Sequence, residues 1–381
     1  MACLMAVVMG FLLLGLRRNY PSTIHGLLLW GLAPLVCAVA AALYNMDRLI
    51  TEPAAAMTGN VLLHTGFAML LFGSQRFYGV RVTWAWWLGV MLLCHAALAY
   101  WLWVQPDYRL RVMLFTAVAA SLAIAHARLL TTQSQAFAPR FTAAVLLFQA
   151  AVLLARAGAA WWVDAPQADR FTPSQFQSTY IAVYSFSVLL VCIGVQLMAS
   201  ERMREEYEYL ATHDGLTGAL TRRALLASVQ EELLRCQRQG QSMALMMLDI
   251  DHFKAINDQH GHLVGDRVLV EFSSTLHEHL RSSDRLGRYG GEEFVLLMPG
   301  VTAQEAVAAA QRLREAVERV SVPLGEGAPL PGCTVSIGVA AARAGSAIAD
   351  ESFDTLAGRA DAALYRAKSL GRNRVELAEP T

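Results

Sequence analysis

Apolar residues dominate the chain from Met1 to about Ser200, and from Glu201 onward charges become frequent and apolar positions periodic. The first part breaks into about seven apolar stretches, residues 2–16, 27–43, 54–72, 84–104, 112–127, 141–162 and 180–198. Most approach the roughly 20 residues that cross a hydrocarbon layer, the first being somewhat short. Helices buried in a soluble protein would carry polar faces, and these mostly do not. The pattern predicts an all-α membrane bundle of about seven transmembrane helices over residues 1–200. The first stretch has no basic n-region and no convincing cleavage site, and Arg17 and Arg18 follow it directly, so it reads as a retained span.

Charge between the stretches sets the expected orientation. Arg17 and Arg18, Arg76 and Arg81, Arg128 and Arg140, and Arg202 and Arg204 follow alternate spans. The intervening loops hold Asp47, Glu52, Asp107, Asp164 and Asp169, together with Arg48, Arg109, Arg111 and Arg170. This moderate bias favours an outer N-terminus and a cytoplasmic second half. Trp84, Trp86 and Trp87 at one end of a span, and Trp101 and Trp103 at the other, have the placing of interfacial belts. His25, His64, His95 and His126 lie in or beside spans, and Arg156 lies inside the sixth. Interhelical hydrogen bonding or interface placement accounts for such histidines more economically than haem or metal ligation. The six cysteines show no metal-ligand spacing and read as small apolar residues. The net charge is zero, so no global basic field points to nucleic acid.

Residues 201–213 join the two regimes. Met203, Tyr207 and Leu210 form a short heptad-like stripe among charges, read equally as a solvated amphipathic helix or as a signalling helix that pairs with a second copy. Asp214-Gly215 then makes a turn, and Thr221 is a suitable N-cap for the helix after it.

The second half carries the chemistry. Arg288-Tyr289-Gly290-Gly291-Glu292-Glu293-Phe294 places a glycine pair between two strand-like runs, a hairpin signal with carboxylates at its tip. The apolar run from Met243 to Ile250 ends in Asp249-Ile250-Asp251, followed by Lys254 and Asn257. A carboxylate at the end of a buried strand needs a partner, and Mg²⁺ takes one or two carboxylates together with phosphate oxygens. Farther on, His262, Gly265 and Asp266 open an amphipathic helix, and an amide (Asn257) with a carboxylate (Asp266) suits a guanine edge. Strands are expected at 244–250, 294–298, 334–340 and 374–377, and helices at 303–320 and 353–369.

Ordered motifs carry a family resemblance over residues 214–375: DGLTGALTRR, LDIDHFKAIND, HGHLVGD, RYGGEEF, VSIGVA and ALYRAKSLGRNRV. Together they resemble the GGDEF family of diguanylate cyclases, in the variant with Glu292 where the family name has Asp. The resemblance implies a palm-type nucleotidyl cyclase domain at 214–377, an α/β fold with a mainly antiparallel sheet, followed by a tail at 378–381. It implies condensation of two GTP into cyclic di-GMP and pyrophosphate by a homodimer at the cytoplasmic (inner) membrane, with Mg²⁺ or Mn²⁺ as cofactor. Asp249, the Ile250 carbonyl and Glu292 match its metal ligands. Glu292, Glu293 and Lys254 match the catalytic group, Glu292 being the favoured general base. Asn257, His262, Asp266, Gly290, Gly291, Lys368 and Arg372 match substrate contacts. Arg281 and Asp284 match an RxxD product-inhibition site, with Arg312 as a further product-binding arginine. The competing readings are a catalytically silent cyclic di-GMP receptor and a transporter with an appended regulatory domain; the intact acids argue against the first, and the lack of compelling broken helices against the second.

Overall fold

The computed structural model describes residues 2–44, 51–162, 175–322, 333–342 and 352–379. Its contacts divide the chain into two units, Met1–Glu205 and Glu206–Thr381.

The first unit is helical, with α1 (Ala2–Arg17), α2 (Leu27–Leu43), α3 (Glu52–Phe77), α4 (Trp84–Ala99), a π-helical turn at Tyr100–Val104, α5 (Tyr108–Gln133), α6 (Phe137–Trp162) and the start of α7 (Gln175–Thr212). Five of these are long and apolar enough to cross a membrane: Glu52–Phe77, Trp84–Val104, Tyr108–Gln133, Phe137–Trp161 and Ala182–Thr212. The other two of the seven expected spans are apolar but shorter, 16 residues in α1 and 17 in α2. At 1.5 Å per residue each is about 25 Å long, less than a typical hydrocarbon core of about 30 Å. Apolar residues face both ways. Trp30, Leu122, Leu130 and Leu153 are buried, whereas Phe11, Leu92, Leu93 and Phe148 are exposed. Apolar side chains both inside and outside a bundle suit a lipid surround.

Polar side chains inside this unit bond across helices. His64 Nδ1 lies 3.3 Å from His95 Nε2, and Ser74 Oγ lies 2.6 Å from His126 Nε2. Trp84 and Trp86 are exposed, as expected of a belt, but Trp87 turns inward against Ala68, Leu71 and Leu122. Met203 likewise packs onto the core of this unit and leaves the expected stripe, while Tyr207 and Leu210 remain exposed. Asp47, Arg48, Asp164, Asp169 and Arg170 lie outside the described residues.

The second unit is a three-layer α/β structure. Its elements are β1 (Leu220–Thr221), α8 (Arg222–Gln239), β2 (Met243–Ile250), α9 (Phe253–His260), α10 (His262–His279), β3 (Arg285–Gly290), β4 (Glu293–Pro299), α11 (Ala303–Glu318), β5 (Val335–Ala342), α12 (Phe353–Ser369) and β6 (Val375–Leu377). The sheet order is β1-β3-β4-β2-β5-β6. The sheet is mixed: β3–β4, β4–β2 and β2–β5 are antiparallel, and the edge pairs β1–β3 and β5–β6 are parallel. β2 is buried on both faces and alternates between two cores. Ala244, Met246, Leu248 and Ile250 pack with α10 and α11, and Met243, Leu245 and Met247 pack with α8 and α12. Local signals set the helix starts. Thr221 caps α8 through the Ala224 N–H, Thr302 and Glu305 form a capping box on α11, and Ser352 caps α12. Cys236 and Cys333 are buried free thiols.

Candidate active site

Strand parity sets the position of Asp249. It continues the alternation of Met243, Leu245 and Met247, which places it on the α8/α12 face, with Glu293 and Ser336 as its cross-strand neighbours. It is 7% exposed. A carboxylate so placed requires a counter-charge, and Lys368, in the last turn of α12, supplies it with Nζ 2.7 Å from Oδ2. Burial pushes the Asp249 carboxyl above the usual carboxylate range. Lys368 opposes that rise, and the charges of Glu292 and Asp251 add to it. Glu293 is raised as well, first by burial and then by Asp249, with Lys368 again opposing and Asp361 and Glu292 contributing. The site therefore concentrates more negative charge than one lysine offsets.

The hairpin that brings in these acids is braced from outside. Between β3 and β4 the register shifts at Arg288/Gly290, leaving Glu292 in the turn and Glu293 on the strand. Arg288 donates from Nε to the Gly291 carbonyl at 3.0 Å and from Nη1 to Asp214 Oδ1 at 3.0 Å. Asp214 also accepts from the Thr217 N–H and hydroxyl. Burial pushes the Asp214 carboxyl up, but these hydrogen bonds from Thr217 and Arg288 outweigh it and hold the group below its ordinary value. The DGLT turn is thus a clamp on the hairpin tip. The Ile250 N–H reaches the Glu292 carbonyl at 3.4 Å, tying the tip to the end of β2. Above Gly290 and Gly291 the space is open, apart from a Glu293 carboxylate oxygen 3.8 Å from where a Gly290 Cβ would lie.

Asp251 has a structural part that sequence reading did not assign. It is 4% exposed and accepts from Ser336 Oγ (2.7 Å), Thr334 Oγ1 (2.7 Å) and the Asn373 N–H (3.0 Å). Asn373 is held in addition by Arg314 and Glu318 of α11. Arg372 and Asn373 are both left-handed, at φ 64° and 44°, so the turn carrying Arg372 is imposed by these bonds and not by local preference. Asp251→Ala is expected to cost on the order of 3 kcal/mol, since it strips a buried carboxylate from three donors. Thermal unfolding checks the loss of stability.

The remaining predicted residues distribute as follows. Lys254 is exposed and Asn257 half-buried on α9, and His262 and Asp266 are exposed on the first turns of α10. A Cβ on Gly265 would collide with Asn257 Oδ1, so the glycine lets α10 seat against the Asn257 carboxamide and orient it. Arg281 and Arg312 are exposed. Asp284 is buried, with its carboxylate turned back onto the Arg281 N–H at 2.9 Å and the Ser283 hydroxyl at 3.3 Å.

Among the described residues no group of three or more His, Cys, Asp or Glu side chains is arranged to hold a metal. An ion shared with phosphate is held differently, since Mg²⁺ needs only one or two protein carboxylates. The hard oxygen donors of Asp249, Glu292 and the Ile250 carbonyl, in a region of surplus negative charge, fit that requirement.

Residues 211–374 match the family described as diguanylate cyclase, GGDEF domain. The chain is 40% identical over 187 residues to the diguanylate cyclase DgcM of Escherichia coli strain K12, an overlap of 49% of this chain and 43% of DgcM. It is 33% identical over 218 residues to the probable diguanylate cyclase DgcC of the same strain, covering 57% of this chain and 53% of DgcC. The GGDEF domain of DgcB from Caulobacter crescentus, solved in complex with c-di-GMP, aligns at 34% identity and a TM-score of 0.42, covering 45% of this chain and 94% of that one. The chain spans about half the length of the curated relatives it matches.

Proposed function

Because residues 211–374 constitute a GGDEF domain, we propose that this chain is a membrane-bound diguanylate cyclase that joins two GTP molecules into cyclic di-GMP with release of two pyrophosphates. The observation that carries the reading is the meeting of Asp249, Glu293 and Lys368 at the end of β2, with Glu292 at the adjoining hairpin tip.

In this reading Asp249, the Ile250 carbonyl and Glu292 hold Mg²⁺ or Mn²⁺, which when bound polarises a substrate phosphate and acidifies a nearby hydroxyl. Glu292 takes the proton of the ribose 3′-hydroxyl, and Glu293 and Lys254 support the charge balance around it. Asn257 and Asp266 read the guanine edge, and His262 lies against the base. Lys368 and Arg372 take the phosphates; Lys368 neutralises Asp249 in the free site and finds phosphate oxygens when nucleotide arrives. Gly290 and Gly291 leave room for the nucleotide to lie on the backbone. Each subunit of a homodimer brings one GTP, so that proximity of two oriented nucleotides supplies much of the catalysis.

The helical unit anchors the enzyme in the bacterial inner membrane as a multi-pass domain over residues 1–200, with 201–213 as a signalling linker and the catalytic domain at 214–377 in the cytoplasm. The exposed Tyr207 and Leu210 support pairing of the linker with a second copy.

Full-length protein in membranes, supplied with GTP and Mg²⁺, is expected to form cyclic di-GMP at a rate that rises more than linearly with protein density. Absence of product from folded, GTP-binding protein at every density refutes the reading. The exposed Arg281, beside the Asp284 turn and accompanied by Arg312, is proposed to bind product and throttle the enzyme. Arg281→Ala is expected to keep the initial rate and lose inhibition by added cyclic di-GMP; unchanged inhibition would place the regulatory site elsewhere.

A further inference from the structure

The helical unit encloses a cavity of about 530 Å³, within the roughly 300–1,000 Å³ that small-molecule sites occupy. Most of its wall is apolar, with Met5 and Met9 of α1, Leu98 of α4 and Leu189 of α7 among the lining side chains. The charged lining residues and Tyr180 collect at one end of the bundle. Glu52 opens α3, Arg111 lies in the first turn of α5, Arg156 lies near the end of α6, and Tyr180 lies near the start of α7. The lining residues of α7 run from Tyr180 to Cys192, about 18 Å of helix at 1.5 Å per residue. The cavity therefore has the form of an apolar slot with a charged mouth.

Among the described residues, two guanidiniums and one carboxylate line it. Arg156 stacks over the Tyr180 ring with Cζ 4.3 Å from the centroid, and among the described residues it has no carboxylate partner. A cation set several residues inside an apolar helix is costly, and such groups mark ligand or ion sites. A planar guanidinium held by its face against an aromatic ring keeps its N–H edge for a flat, two-oxygen acceptor. Tyr184 also lines the slot, and its Oη is buried without a hydrogen bond of standard geometry, Gln149 being the polar group beside it. The π-helical turn at Tyr100–Val104 contributes Leu102 to the wall, and such turns recur at functional sites.

We propose that this slot binds a single-chain amphipathic carboxylate, with the carboxylate forked onto Arg156 at the mouth and the alkyl chain lying along α7. A neutral alkyl compound leaves Arg156 uncompensated, and a short polar anion leaves the apolar slot unfilled.

The test uses full-length protein in nanodiscs of neutral phosphatidylcholine, with tritiated dodecanoate as probe. Binding is scored without turnover, so its outcome is independent of the cyclase reading. Saturable binding is expected, with affinity at least tenfold lower in Arg156→Gln. Leu189→Trp, which fills the slot without touching the charges, is expected to abolish binding while thermal unfolding stays near that of the parent. If Arg156→Gln fails to fold, Leu189→Trp decides. No saturable binding to the parent, equal binding by folded Leu189→Trp, or equal displacement by methyl dodecanoate overturns the proposal. Tighter binding of lysophosphatidate than of dodecanoate overturns the carboxylate assignment in favour of a phosphate headgroup.

Discussion

Glu292→Ala is expected to lower cyclic di-GMP formation by about 10²–10⁴-fold, the range typical of removing a positioned acid or base, and the loss of an oxygen proposed to ligate the metal is expected to deepen the defect. Stability is expected to change by no more than about 0.5 kcal/mol, because Glu292 stands in the hairpin turn and fills no core. Its main-chain carbonyl, which accepts from the Ile250 N–H, survives the substitution. Turnover and thermal unfolding measured on the same preparation separate the two effects. Retained activity would remove Glu292 from the metal and base assignments. A large drop in melting temperature would mean that the turn itself depends on the carboxylate.

The largest expected effect on stability comes from Gly338→Val. Gly338 lies in β5 where α12 crosses the sheet, and a Cβ there would run into the Ala360 carbonyl oxygen and the Leu364 N–H. Both are helix backbone atoms, so no side chain can rotate away, and α12 must lift. Overpacking typically costs about 1–3 kcal/mol and occasionally more; with backbone atoms in the way, the top of that range or above is expected here, against about 5–15 kcal/mol for a whole domain. The damage also reaches the site, because α12 carries Lys368, and a lifted helix withdraws its ammonium from the buried Asp249 carboxylate. Gly338→Val is therefore expected to lower both the melting temperature and the rate per folded molecule, and the milder Gly338→Ala to move both in the same direction. A Gly338→Val protein that melts like its parent would contradict the close approach of helix and sheet.

Much of this molecule is legible along the chain because its signals are local. Each of the seven apolar stretches corresponds to a helix, since hydropathy is summed over neighbouring residues. The strand ending at Asp249–Ile250, the glycine hairpin and the Thr221 cap also rest on short windows, and the structure has them where expected. The ordered motifs of the second half place its family for the same reason: each is a contiguous run. Which face a side chain takes, and which distant group it meets, are not local. Trp87 has the same belt composition as Trp84 and Trp86, but its position on the turn of α4 points it at α3 and α5. Met203 continues a heptad spacing, yet the packing of the helical unit claims it.

The site divides along the same line. That Asp249 needs a counter-charge follows from a carboxylate at the end of an apolar strand; that Lys368 provides it follows only from α12 packing on β2 and β5. Asp249 and Asp251 are equivalent in sequence, two acids flanking one isoleucine. The fold separates them by giving Asp251 donors 83, 85 and 122 residues away, whereas Asp249 meets the Lys368 ammonium. Composition and periodicity decide which segments are helix, strand or turn, because those preferences act within a few residues. The pairing of buried charges, and the slot at one end of the helical unit, are decided by tertiary structure, because low-dielectric surroundings and close packing exist only once distant segments have met.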